Sequence, residues 1–103
     1  MSPYDAMQLT RENLLGAPPP ERARLVEAYL LGSVRALRAA GGADGQVTAD
    51  TPLADLAIDS IQVVELKFGL DQLVGIELDV ELILTNPTIR ELSEYSVVDA
   101  GLA

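Results

Sequence analysis

Along residues 60–74, SIQVVELKFGLDQLV, the apolar positions fall into two sets. At about 100° of turn per residue, Val63, Leu66, Leu70, Leu73 and Val74 share roughly a third of the helical circle, the width of a core-facing stripe. Ile61, Val64 and Phe68, spaced i, i+3, i+7, fall on the opposite side, with Glu65, Asp71 and Gln72 around them. The spacing predicts a helix over 60–74, stopped by Gly75 as a C-terminal cap. It also predicts an outward apolar stripe with an acidic rim. Such a stripe serves docking unless the loop 43–58 or the N-terminal tail covers it.

Three other segments carry helical patterns. In residues 21–42, Val26, Leu30, Val34 and Leu37 repeat at helical spacing beside Leu25 and Tyr29, and Gly41-Gly42 ends the run. Residues 76–86 read as a loop plus a short helix near 80–85. After Pro87, Thr88 and Glu91 form a Thr-x-x-Glu capping box that opens a last helix, with Ile89, Leu92 and Tyr95 expected to face inward. Residues 43–58 lack a helical pattern and form a long connection, pinned by Leu53, Leu56 and Ile58. The prolines in GAPPP (16–20) break the chain before the first long helix. The expected fold is all-α, a four-helix bundle of three longer helices and one short one, with a long loop between the first and second. Residues 1–20 read as a tail or linker with room for a short helix, 21–98 as the folded unit and 99–103 as a C-terminal tail.

Composition narrows the chemistry. The chain has 103 residues, 49% of them hydrophobic, enough for one small aliphatic core. Seven Lys and Arg against 16 Asp and Glu give a net charge of −9, which argues against nucleic acid or an anionic membrane and suits a basic protein surface. There is no His and no Cys, so there is no Ser-His triad, no thiolate and no Cys-ligated metal. The DGQVTAD stretch (44–50) lacks the alternating acids and the Glu of a calcium loop, so no metal site is expected. Asp55 with Asp59, and Glu77 with Asp79, are read as solvated acids rather than catalytic pairs, and no catalytic residue is assigned. The N-terminus lacks the apolar core of a signal peptide, and no run reaches the roughly 18 apolar residues of a membrane span. A soluble cytoplasmic monomer is expected.

Ser60 stands at the head of the two-sided helix. Asp59 and Ser60 are both N-cap residue types, and Asp59 with Gln62 resembles a capping box, so capping is what the local sequence favours for this pair. Without a His to activate it, Ser60 is a poor nucleophile. A serine at a helix N-terminus is, however, well placed to carry a phosphate, which the free N–H groups and the helix dipole favour. A group tethered there would project beside Ile61, Val64 and Phe68.

These stretches resemble a known family. DTPLADLAIDSIQVVEL resembles the serine-bearing signature of acyl carrier proteins. NPTIREL resembles the start of the last helix in carrier (thiolation) domains of polyketide synthases and nonribosomal peptide synthetases, and LLGAPPPERARLVEAYL resembles the lead-in to a polyketide carrier domain. The resemblance covers roughly residues 14–98. It implies a four-helix bundle whose serine, Ser60, receives 4′-phosphopantetheine from coenzyme A through a phosphopantetheinyl transferase. The thiol of that arm would hold an acyl or polyketide intermediate as a thioester. Asp59 matches the aspartate associated with transferase recognition. The partner-reading surface maps onto Ile61, Gln62, Val64, Glu65, Phe68, Asp71 and Gln72. Implied partners are a ketosynthase, an acyltransferase or acyl-loading ligase, and other biosynthetic enzymes with basic docking patches.

AIDS (57–60) departs from the GGxS form usual in peptidyl carriers and favours the acyl type, and Lys67 beside the core stripe is more typical of polyketide carriers. Two alternatives stay open on the sequence: a peptidyl carrier of a nonribosomal pathway, and a plain helical interaction module with Ser60 as a helix cap.

Overall fold

The computed structural model describes residues 9–40 and 47–103. Gly41-Gly42 and the first half of the DGQVTAD stretch lie outside them. The helices are α1 (Arg11–Gly16), α2 (Pro19–Ala40), α3 (Ser60–Val74), α4 (Glu81–Leu84) and α5 (Ile89–Asp99), with a 3₁₀ turn at Leu53–Asp55. No strand occurs among the described residues, so the chain has the expected all-α fold. The three longer helices are α2, α3 and α5, the short one is α4, and α1 forms within the N-terminal stretch. No helix among the described residues is long and apolar enough to cross a membrane.

Two of the three prolines expected to precede α2 form its first turn instead. Proline is tolerated there, because its missing N–H would have had no helical partner and its φ is already helical. The inner stripe of α2 is as the periodicity predicts: Val26, Leu30 and Val34 are fully buried, with Leu25 and Tyr29 packed partly against the core. Leu66, Leu70, Leu73 and Val74 of α3 meet them, and Ile89, Leu92 and Val97 of α5 complete the centre.

The phase of α5 differs from the expected one. Tyr95 is exposed, while Ser93 and Ser96 are fully buried. The inward positions are Ile89, Leu92, Ser93, Ser96 and Val97, a stripe that leaves Tyr95 to one side. Burying two serines is tolerable because each hydroxyl donates to its own helix: Ser93 Oγ to the Ile89 carbonyl at 2.8 Å and Ser96 Oγ to the Ser93 carbonyl at 2.9 Å. The small serine side chains let α5 pack closely on its neighbours.

The long connection is held from both sides. Val47, Leu53 and Leu56 are buried in the core cluster, and Ile58 packs partly against it, as expected for Leu53, Leu56 and Ile58. Arg35 donates to the Val47 carbonyl at 3.1 Å and Arg38 to the Leu56 carbonyl at 2.5 Å. From the other side the Arg90 amide donates to the Ala49 carbonyl at 2.9 Å, and the Leu53 amide to the Pro87 carbonyl at 3.0 Å.

Arg22 fastens α1 to the bundle. Its guanidinium donates to the carbonyls of Leu14, Leu15, Ala17 and Leu102 at 2.8–3.2 Å, joining the end of α1, the start of α2 and the C-terminal residues. The last carbonyls of α1 have no helical partner, and α1 has no basic residue in its own last turn. Arg22→Ala leaves those carbonyls without a charged donor. A loss of about 2–3 kcal/mol is expected, read as a lower urea midpoint in chemical denaturation.

Candidate functional site

The approach to α3 is built from anchors. Leu56 is fully buried and Ile58 half-buried, and the chain turns between them. Ala57 makes that turn with φ of 57°, in the left-handed region, where an L-residue with a Cβ is disfavoured by about 1–2 kcal/mol. Ala57 is exposed and its methyl group packs into no core. Ala57→Gly should therefore raise stability by about 0.5–1 kcal/mol, after the extra unfolded-state entropy of glycine is set against the relieved strain. A thermal melt checks the sign.

Asp59 caps α3, and Ser60 does not. The Asp59 carboxylate accepts from the Gln62 amide at 2.8 Å, and the Gln62 side-chain oxygen accepts from the Asp59 amide at 3.0 Å, a complete capping box. Ser60 is the first residue of the helix proper, so the reading of Ser60 as the cap is corrected: the preceding aspartate already fills that role. Ser60 is exposed, and its hydroxyl makes no hydrogen bond to any described residue. It stands at the positive end of a 15-residue helix. A phosphodiester fits there without displacing any internal bond, because the hydroxyl has solvent in front of it and the helix N-terminus favours an anion.

Below Ser60 the two apolar sets separate as the angles predict. Leu66, Leu70, Leu73 and Val74 are buried and Val63 is half-buried, whereas Ile61, Val64 and Phe68 are 69%, 66% and 63% exposed. No described part of the loop or the N-terminal segment covers them. Glu65 and Gln72 are exposed beside them.

Two residues of the expected surface have their side chains engaged within the fold. Gln62 closes the capping box. Asp71 is half-buried: one carboxylate oxygen accepts from the Leu78 amide at 3.0 Å and the other from Lys67 Nζ at 2.8 Å. Periodicity places Asp71 at the edge of the outward stripe, but the segment after Gly75 folds back onto it and buries Leu78. The sequence reading missed the far end of this face. There, Arg11 and Ile76 join Phe68, Gln72, Gly75 and Glu77 around a cleft of about 730 Å³. No local pattern signals it, because Arg11 arrives from a different helix.

Comparison with known proteins identifies the family. The family model described as "Phosphopantetheine attachment site" matches residues 34–96, a span that contains Ser60 and all of α3. The chain is 32% identical over 91 residues to the nonribosomal peptide synthetase ucdA of Aspergillus ustus, an alignment covering 86% of this chain and 9% of the synthetase. It is 31% identical over 55 residues to 5-methyl-1-naphthoate synthase of Streptomyces sahachiroi, covering 53% of this chain and 3% of the synthase. The chain thus spans less than a tenth of the length of either relative. No solved structure gives a significant match. The match spans more than half of the chain: the protein belongs to the phosphopantetheine attachment-site family, a carrier (thiolation) domain whose covalent cofactor is 4′-phosphopantetheine.

Proposed function

We propose that this protein is an acyl carrier in polyketide or hybrid natural-product biosynthesis, with Ser60 as the attachment residue and no catalytic turnover of its own. The observation that carries the assignment to Ser60 is its exposed hydroxyl, free of internal bonds, at the first position of α3 inside the matched span. In the loading step Ser60 Oγ bonds to the phosphorus that bears the pantetheine of coenzyme A. The pyrophosphate P–O bond breaks, adenosine 3′,5′-bisphosphate leaves, and the hydroxyl proton passes to a base on the transferase, which works with magnesium. The arm supplies a terminal thiol that holds cargo as a thioester, a group this cysteine-free chain lacks.

Asp59 holds the end of α3 in shape while the transferase engages, which is how we read its part in recognition. Ile61, Val64 and Phe68 supply apolar contact to the client enzymes, with Glu65 and Gln72 on the rim. Gln62 and Asp71 support the same surface through the bonds that shape it. The clients are the transferase, a ketosynthase, an acyltransferase or acyl-loading ligase, and further enzymes with basic patches.

Intact mass after incubation with coenzyme A, magnesium and a broad-specificity phosphopantetheinyl transferase tests the reading. One phosphopantetheine per chain, mapped to the peptide containing Ser60, is expected. A chain that stays unmodified, or is modified elsewhere, overturns it. The peptidyl alternative is favoured by the alignment to a nonribosomal peptide synthetase over 86% of the chain. The acyl reading is favoured by AIDS before α3. The mass of cargo accepted from acyltransferases and from adenylation enzymes decides between them.

A further inference from the structure

We propose that Arg11 extends the docking face into the cleft at the C-terminal end of α3 and selects protein partners that set an acidic side chain beside an apolar one. The proposal rests on the docking role of α3. Of the seven basic residues, five are engaged inside the fold. Arg22, Arg35 and Arg38 donate to backbone carbonyls, Lys67 pairs with Asp71, and Arg90 pairs with Glu27 and Asp50. Arg24 lies in a groove between α2 and α5 beside Glu27 and Glu94, without a large exposed apolar residue in its lining. Arg11 differs. It is exposed, makes no hydrogen bond or ion pair with any described residue, and lines a cleft together with exposed Phe68 and Ile76.

This cation lies over the C-terminal cap of α3. Its guanidinium lies across Gly75, where a Cβ would come within 2.2 Å of Nε and 2.8 Å of Cζ. Gly75 has φ of 82°, so the cap conformation favours glycine there, and the missing Cβ leaves room for the guanidinium. Asp71 lines the same cleft but does not neutralise Arg11, because its two oxygens are occupied by Leu78 and Lys67. Glu77, also in the cleft, forms no ion pair with it. The result is a positive donor fork beside two apolar side chains on a chain of net charge −9. A partner that is basic along the Glu65 side and acidic at this end complements the whole length of α3, and the mixed pattern fixes its direction. A surface basic throughout would meet like charge at Arg11.

Arg11 could instead matter only to α3, as a cation near the end of a helix with no basic residue in its own last turn. The experiment separates the two roles. Displayed helical peptides are selected on the phosphopantetheinylated protein, and those whose binding is lost in Phe68→Asp are kept. Asp or Glu within one turn of the peptide's apolar anchor is expected. Arg11→Glu should weaken these peptides roughly tenfold, with tight binding restored when the peptide's acid becomes Lys. The melting temperature should change little. Kept peptides without an acid, or binding within about twofold of wild type in Arg11→Glu, overturn the proposal. So does an equal weakening of acid-free peptides accompanied by a lower melting temperature, which marks a structural role alone. If Phe68→Asp leaves every selected peptide bound, the docking face itself fails, and this inference with it.

Discussion

Ser60→Ala removes all phosphopantetheinylation and leaves the fold as stable as wild type, whereas Asp59→Ala destabilises the fold. The contrast follows from the division of labour at the head of α3. The Ser60 hydroxyl bonds to nothing among the described residues, and alanine is a better helix former than serine, so stability should stay within about 0.5 kcal/mol. Asp59 instead accepts from the Gln62 amide and anchors the reciprocal bond from its own amide to Gln62. Losing such a cap costs about 1 kcal/mol, a drop of roughly 4–8 °C in melting temperature for a domain of this size. Asp59→Asn keeps a capping oxygen without the charge. It should recover most of the stability, so any loading defect that remains belongs to transferase recognition. Intact mass and thermal melts on the same samples read both effects. Substantial unfolding in Ser60→Ala would show that the serine is a structural residue after all.

Phe68→Ala abolishes productive contact with client enzymes while barely changing stability, and Leu70→Ala, two residues further along the same helix, unfolds a large fraction of the protein. Phe68 is 63% exposed and has little apolar surface to lose from the core. Leu70 is fully buried in the core, and emptying its site costs about 2–5 kcal/mol. That is a large share of the 5–15 kcal/mol by which small domains are stable. The measurements are urea denaturation for both variants and the loading rate for Phe68→Ala, taken at several carrier concentrations so that a raised KM is seen separately from kcat. A Phe68→Ala protein with wild-type kinetics toward the transferase and every client tested would remove the stripe from the mechanism.

The site was legible in the sequence wherever it depended on one helix. Ser60 at the helix start, the capping pair Asp59 and Gln62, and the outward set Ile61, Val64 and Phe68 follow from short-range spacing, because the rotation per residue carries over from any α-helix. Which of the two cap candidates takes the role needed coordinates, since Asp and Ser have nearly equal preference for it. The phase of α5 was misread for a related reason. Polarity marks serines for the outside, yet Ser93 and Ser96 satisfy their hydroxyls within their own helix and so tolerate burial, while the larger Tyr95 turns out.

The chain's own sequence determined the number and kind of its longer helices, their ends at Asp59, Gly75 and Thr88, and the serine that opens α3. Those properties come from bonds between residues three or four apart and from the apolar spacing. Tertiary structure alone decided the company each helix keeps. It folded Leu78 back onto Asp71, drew the carbonyls at the end of α1 onto Arg22, and laid Arg11 over Gly75 next to Phe68. Contacts between residues 57 and 64 positions apart depend on how helices pack, and the spacing within either helix carries no record of that.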